Sequence, residues 1–171
     1  MINHYKILVV DDDPGIRDTY REILLEKKPD LLVEKGVELF DGTPSAIHQQ
    51  DRLSFNVILE ERGDKSIEIV KTGQEDNQPV SLIFLDMSIP GMNGAEAARE
   101  IWKIDPSIKI VFVTAFNEYT SASISKIAGR DDIFYLRKPF NPDEIRQFAR
   151  ALTTQWRLEK EKHTLTQKFQ R

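Results

Sequence analysis

The sequence predicts an α/β fold, a doubly wound parallel sheet of five strands with helices on both faces. Short runs of β-branched and other apolar residues alternate five times with segments of helical periodicity. Several runs are apolar at successive positions, which is typical of parallel strands that are covered on both faces. The predicted strands are residues 7–10, 55–59, 80–85, 108–113 and 133–136.

Local capping signals predict where the helices begin and end. Asp13 and Pro14 suit the N-cap and the first position of a helix. The apolar residues that follow are spaced as on one face of that helix: Ile16, Tyr20, Ile23 and Leu24. The later helices are predicted at residues 94–104, at residues 118–128, and from Asn141-Pro142 onward.

Length and composition limit the class of protein. The chain has 171 residues, enough for one domain with a real core, and a net charge of −4, which argues against direct nucleic-acid binding. It has no cysteine, which excludes a disulfide scaffold and a thiolate metal site. Its apolar runs are too short to span a membrane, and its N-terminal segment lacks the pattern of a signal peptide. We therefore expect a cytoplasmic protein without a membrane partner.

Two regions exceed a minimal domain. Between Asp12 and Asp86 lie 73 residues, whereas two helices, two strands and their loops need only about 50. Roughly 25 residues are therefore extra, and we place them in an insertion at about residues 27–54. The second region is residues 153–171, which continue in helical character without Gly or Pro. We expect a domain at residues 1–152 and a C-terminal helical extension at 153–171 that leads to an output domain outside this chain.

The extension allows two interpretations. Ala151, Leu158 and Leu165 recur every seven residues, Phe148 lies three residues before that stripe, and Phe169 lies four residues after it. This spacing favours a helix that pairs with another helix. The intervening positions, however, are the polar residues Gln155 and Lys162. The alternative is a solvated extension in which Trp156 and Leu158 fold back onto the domain.

Chemically active side chains follow four of the predicted strands. Asp11–Asp13 follow the first strand, Asp86 the third, Thr114 the fourth and Lys138 the fifth. Because parallel strands present their carboxyl ends at one edge, these groups should converge there. Clustered carboxylates are suited to a hard cation such as Mg²⁺, and a lysine and a hydroxyl can bind phosphoryl oxygens. Asp86 lies at the centre of the set and can act as a nucleophile toward phosphorus, which forms an acyl phosphate.

Four segments with these residues resemble the receiver domain of two-component response regulators. They are Ile-Leu-Val-Val-Asp-Asp-Asp-Pro at 7–14, Phe-Leu-Asp-Met-Ser-Ile-Pro-Gly-Met-Asn-Gly at 84–94, Val-Thr-Ala at 113–115 and Tyr-Leu-Arg-Lys-Pro-Phe at 135–140. The resemblance covers about residues 4–152 apart from the insertion. It implies a flavodoxin-like sheet of strand order 2-1-3-4-5. It also implies that Asp86 accepts a phosphoryl group from a histidine kinase or phosphotransfer protein.

The same resemblance implies roles for the neighbouring residues. Asp11, Asp12, Asp86 and the backbone carbonyl of Ser88 would hold Mg²⁺, for which Mn²⁺ is a substitute. Thr114 and Lys138 would contact the phosphoryl oxygens, and the Lys138–Pro139 bond would be cis. Thr114 and Tyr135 would act as a conformational switch. That switch would control an output, or a homodimer formed through the C-terminal helix or the face at residues 114–140.

Other functions remain open at this point. A phosphatase of the haloacid dehalogenase type also combines Asp, Mg²⁺, a hydroxyl and a lysine, but its nucleophile lies in an Asp-x-Asp-x-Thr run. Here Asp11–Asp13 are followed by Pro14 and Gly15. A receiver-like structural module that is not phosphorylated is the third hypothesis. Individually, Thr114 and Tyr135 also fit purely structural roles, as a strand residue and as a packed core residue.

Overall fold

A computed structural model of the chain describes residues 4–25, 53–115 and 119–169. The strands in these residues form one parallel sheet in the order β2-β1-β3-β4-β5. They are β1 (His4–Val10), β2 (Ser54–Glu60), β3 (Val80–Asp86), β4 (Lys109–Thr114) and β5 (Phe134–Arg137). The helices are α1 (Pro14–Leu25), α2 (Gly63–Glu75), α3 (Gly94–Ile104), α4 (Ser121–Ala128) and α5 (Pro142–Phe169). The predicted fold class and strand order are confirmed.

The sheet is covered on both faces, as its continuous apolar strands predict. Every residue of β3 is buried. On one face, alternate strand residues such as Leu8 and Ile83 pack with α2, α3 and α4. On the other face, Ile7 and Phe84 pack with α1 and α5. The alternation of side chains along each strand therefore divides the core into two clusters, one on each side of the sheet.

The predicted boundaries agree closely with the observed ones. Each predicted strand lies within one residue of the observed strand at both ends, except that β1 already begins at His4. Asp13 caps α1, since its Oδ1 accepts a hydrogen bond from the Gly15 N–H at 2.8 Å. The predicted helix at 118–128 begins later, at Ser121, because Thr120 is the N-cap and its side chain accepts from the Ser123 N–H.

Two predictions fall wholly or partly outside the described residues. Most of the predicted insertion at 27–54 lies in residues 26–52, which are outside them. Ser54, at the end of the predicted range, is the first residue of β2 and pairs with His4 in the sheet. The start of the predicted helix at residue 118 also lies outside the described part of the chain.

Helix α5 runs without a break through Leu152, where we placed the domain boundary, and that boundary stays a prediction. Beyond it, the Trp156 ring packs edge-on against Tyr5, with 6.4 Å between ring centroids. Lys109 Nζ donates to both carboxylate oxygens of Glu159 at 2.8 and 2.7 Å, and Lys160 Nζ lies 3.3 Å from Asp105 Oδ2. The helix is therefore attached to the domain as far as Lys160.

Part of α5 carries exposed apolar side chains. Leu158 is 52 % exposed, Leu165 55 % and Phe169 87 %. Of the two residues predicted to fold back in the alternative interpretation, Trp156 contacts the domain and Leu158 does not bury its side chain. Within the described ranges, the chain contains no helix whose length and apolar character together suffice to cross a bilayer.

Candidate functional site

Three aspartates meet at the carboxyl edge of the sheet. Asp86 is the last residue of β3, and Asp11 and Asp12 follow β1, its neighbour in the sheet. Each offers a carboxylate oxygen, and these oxygens lie within 4.8 Å of one another. Asp11 and Asp86 are buried, while Asp12 is exposed. Three clustered carboxylates, one of them open to solvent, form a donor set that fits a hard divalent cation.

Lys138 bridges the two buried carboxylates. Its Nζ donates to Asp11 Oδ2 at 2.7 Å and to Asp86 Oδ2 at 2.8 Å. Its backbone N–H donates to the Thr114 carbonyl oxygen at 2.9 Å, which ties the segment after β5 to the end of β4. The Lys138–Pro139 peptide bond is cis, as predicted. The ammonium group thus offsets the repulsion between two like charges that are held together in a partly dry site.

Burial and charge shift the pKa values of this pair in known directions. Burial raises the pKa of Asp86, the hydrogen bond from Lys138 opposes that rise, and the charge of Asp11 adds to it. Burial alone would lower the pKa of Lys138, but its hydrogen bonds to Asp11 and Asp86 outweigh burial and raise it. The lysine is therefore charged at neutral pH. The raised pKa of Asp86 means that its charged form is destabilised by burial, so a further positive charge near this carboxylate is favourable.

The other predicted site residues lie around this centre, but their side chains form no hydrogen bond to Lys138 among those described. The Ser88 N–H donates to Asp86 Oδ1 at 3.3 Å. Thr114 is buried at the end of β4, where its hydroxyl donates to the Ala115 carbonyl oxygen at 3.1 Å. Tyr135 lies on β5 with 40 % of its surface exposed. A purely buried core role for Tyr135 does not agree with that exposure.

The loop after Asp86 is tightly packed against the end of β3. Asn93 and Glu96 form a capping box at the start of α3. The Gly94 N–H donates to the Met87 carbonyl oxygen at 3.1 Å. A Cβ at Gly94 would overlap the Asp86 carbonyl oxygen and would lie 3.0 Å from both the Asp86 carbonyl carbon and Met87 Cα. Gly94 therefore allows α3 to start in direct contact with the backbone of Asp86 and Met87.

Some residues around the site were not singled out from the sequence. Arg17 Nη1 donates to the Asp11 carbonyl oxygen at 2.6 Å, and Arg17 Nη2 lies 3.9 Å from the Glu61 carboxylate. No spacing rule predicts this contact, because it joins α1 to the ends of two strands. The sequence indicates Gly94 as the last residue of a motif and the first residue of a predicted helix. Its glycine requirement arises from a backbone contact that the sequence does not reveal.

Comparisons with known proteins agree with this geometry. The sequence model of the response regulator receiver domain family matches residues 31–150. That range is more than half of the chain and includes β2 to β5, although Asp11 and Asp12 lie before it. The chain belongs to the response regulator receiver family. The predicted resemblance is thus confirmed, and the phosphatase and structural-module hypotheses are not favoured.

Individual relatives of this receiver domain support the same assignment. The chain is 31 % identical over 141 residues to sporulation initiation phosphotransferase F of Bacillus subtilis, covering 82 % of this chain and 87 % of that protein. It is 35 % identical over 111 residues to a cyclic di-GMP phosphodiesterase of Thermotoga maritima, covering 64 % of this chain and 28 % of that protein. The chain spans about half the length of two other curated relatives, both regulatory proteins.

A solved structure confirms the fold independently of close sequence similarity. The receiver domain protein of Methanospirillum hungatei JF-1 superposes with a TM-score of 0.63 at 22 % identity, over 92 % of this chain and 99 % of that chain. Receiver domains are regulatory phosphoacceptor domains of two-component signalling, and that class of function applies to this chain.

Proposed function

We propose that Asp86 is the phosphoacceptor and that it receives its phosphoryl group from a phosphohistidine on a histidine kinase or phosphotransfer protein. The observation that carries this proposal is the position of the Lys138 ammonium group, hydrogen-bonded to both Asp11 and Asp86. It places one positive charge beside a buried carboxylate at the open edge of the sheet. From the sequence, we also propose that the protein acts in the cytoplasm.

In the proposed transfer, an Asp86 carboxylate oxygen attacks the phosphorus atom. The new O–P bond forms as the N–P bond of the phosphohistidine breaks, and the imidazole leaves with the bonding electron pair. Lys138 moves its hydrogen bonds from the carboxylates to a phosphoryl oxygen, where its charge offsets the charge of the transferring group.

The acidic cluster is suited to hold the divalent cation that such a transfer requires. Asp11, Asp12, Asp86 and the Ser88 backbone carbonyl would bind Mg²⁺, or Mn²⁺ in its place. When bound, the cation neutralises negative charge on the phosphoryl oxygens. The exposed Asp12 gives the cation access from solvent, since the other two carboxylates are buried.

Thr114 and Tyr135 are the proposed switch. The Thr114 hydroxyl now donates to the neighbouring Ala115 carbonyl oxygen, so it can turn to a phosphoryl oxygen at the cost of one weak local contact. Tyr135 is 40 % exposed, which leaves its ring free to move inward as Thr114 moves. Phosphorylation would shift the balance between two existing surfaces at residues 114–140 and so control an output or a dimer contact.

Chemical phosphorylation tests the acceptor directly. With Mg²⁺ and acetyl phosphate, we expect the intact protein to gain the mass of one phosphoryl group, and Asp86→Asn to gain none. Asp13→Asn is the matched control, because Asp13 lies beside the site but caps α1, and asparagine is an equally good N-cap. Retained labelling in Asp86→Asn, or catalytic turnover with label on Asp11, would overturn the proposal.

We also propose that the exposed stripe of α5 pairs with the same stripe of a second copy. Leu158, Leu165 and Phe169 lie at heptad spacing on a face that the contacts to Lys109 and Asp105 leave open. The polar residue Lys162, within the seam, is of the kind that fixes register and favours two strands at a cost in stability. We therefore expect weak, concentration-dependent association.

Sedimentation of the full chain measures this association. The double variant Leu158→Glu and Leu165→Glu is expected to sediment as a monomer at concentrations where the wild type forms dimers. The control Thr164→Glu and Gln167→Glu adds the same charge on other faces of the helix and should still form dimers. Equal monomer masses for all three proteins would refute pairing through this stripe.

A further inference from the structure

The aromatic ring of Tyr20 lies between the two segments that carry the acceptor and the lysine. Tyr20 is on α1 and is only 1 % exposed. Its ring centroid lies 5.2 Å from that of Phe84, at an interplanar angle of 42°, and 5.0 Å from that of Phe140, at 47°. Phe84 precedes Asp86 by two residues on β3, and Phe140 follows Lys138 by two residues. One ring thus contacts both segments.

Ring contacts, rather than a hydrogen bond, hold Tyr20 in place. Its hydroxyl is buried and has no hydrogen-bond partner among the described residues. Burial raises the pKa of Tyr20 well above its ordinary value, and the charges of Asp11 and Asp86 raise it further, so the phenol is neutral at pH 7. The contacts with Phe84 and Phe140, each two residues from a site residue, place the side chain close to Asp86 and Lys138.

We propose that Tyr20 is a positioning residue for phosphoryl transfer, whose ring fixes the distance between Asp86 on β3 and Lys138 in the segment after β5. The inference rests on the proposed role of Asp86 as acceptor. Phe84 and Asp86 lie on the same strand two residues apart, so a shift of Phe84 moves the acceptor with it. Phe140 transmits the position of the ring to the lysine segment from the other side.

The expected effect of losing this ring is kinetic. A misplacement of about 1 Å between reacting groups can lower a rate about 100-fold, so a smaller displacement should still cost about tenfold.

The test compares phosphorylation rates by acetyl phosphate at saturating Mg²⁺ in the full chain. We expect Tyr20→Leu to lower the maximal rate constant about tenfold and Tyr20→Phe, which keeps the ring, to stay within about twofold of the wild type. Phe140→Leu removes the same contact from a half-buried position and should show the same loss. It replaces Tyr20→Leu in the test if that variant fails to fold. Tyr5→Leu is the matched control, because Tyr5 is also buried but packs on Trp156.

The outcomes separate this inference from the proposed function. An unlabelled wild type would overturn the role of Asp86 and this inference with it. A labelled wild type with unchanged rates in Tyr20→Leu and Phe140→Leu would overturn the role of Tyr20 alone. A rate loss in Tyr5→Leu equal to that in Tyr20→Leu would also overturn it, because the loss would then reflect general destabilisation, which the midpoint of thermal unfolding measures in parallel.

Discussion

Replacing Lys138 with alanine is expected to destabilise the metal-free protein by about 3 kcal/mol and to abolish measurable phosphorylation of Asp86. Removing the lysine leaves Asp11 and Asp86, whose side chains are only 2 % and 7 % exposed, without the cation that they share. Breaking a buried ion pair in this way costs more than the pair itself contributes, because the remaining charges stay desolvated. The phosphoryl oxygens would also lose the positively charged partner that we propose for them.

Denaturant unfolding with and without Mg²⁺ measures the stability part of this prediction. Mg²⁺ should restore most of the lost stability in Lys138→Ala, because a cation that binds the folded carboxylates stabilises the folded state by mass action. Lys65→Ala is the control, since Lys65 pairs with Glu68 on an exposed surface, where an ion pair contributes little to stability. A loss below about 1 kcal/mol in Lys138→Ala, or no effect of Mg²⁺, would contradict the bridging role.

Gly94→Ala is expected to cost about 3 kcal/mol of unfolding free energy and to slow phosphorylation. The added Cβ would overlap the Asp86 carbonyl oxygen and crowd Met87 Cα at 3.0 Å. Those neighbours are backbone atoms and cannot rotate away, so either α3 or the end of β3 must move. The better helix propensity of alanine would offset only about 1 kcal/mol of this cost.

Gly15→Ala is the matched control for this substitution. Gly15 also lies in the first turn of a helix, but the nearest atom to an added Cβ is a side-chain oxygen of Asp13 at 3.2 Å. We expect a change of at most about 1 kcal/mol there. Equal stability of Gly94→Ala and the wild type in denaturant unfolding would show that the segment between β3 and α3 adapts, and that a glycine is not needed beside the Asp86 backbone.

Much of the fold and the general location of the site follow from the sequence. The apolar runs predict strands because parallel strands are buried on both faces, and β3 is buried throughout. Asp11, Asp86 and Lys138 were predicted to converge because parallel strands end at one edge, and their hydrogen bonds confirm that prediction. The periodicity of apolar residues and the common direction of the strands are sufficient to predict the sheet and the edge at which the site lies.

Contacts between segments that are distant in sequence could not be predicted in the same way. The sequence placed Tyr20 in the apolar stripe of α1, which requires only a buried side chain. Its contacts with Phe84 and Phe140 depend on how α1 and the segment after β5 pack together. The helical character of α5 was readable from composition, but its attachment through Glu159 and Lys109 depends on where the helix crosses the sheet edge.

Identification of the phosphorylated residue tests the central claim most directly. The protein is treated with acetyl phosphate and Mg²⁺, reduced with borohydride to convert an aspartyl phosphate to homoserine, and mapped by peptide mass spectrometry. Homoserine at position 86, and unmodified aspartate at positions 11, 12 and 13, is the result that we expect. Homoserine at Asp11 or Asp12, or an unmodified Asp86 in protein that carries a phosphoryl group, would contradict the assignment of Asp86 as the acceptor.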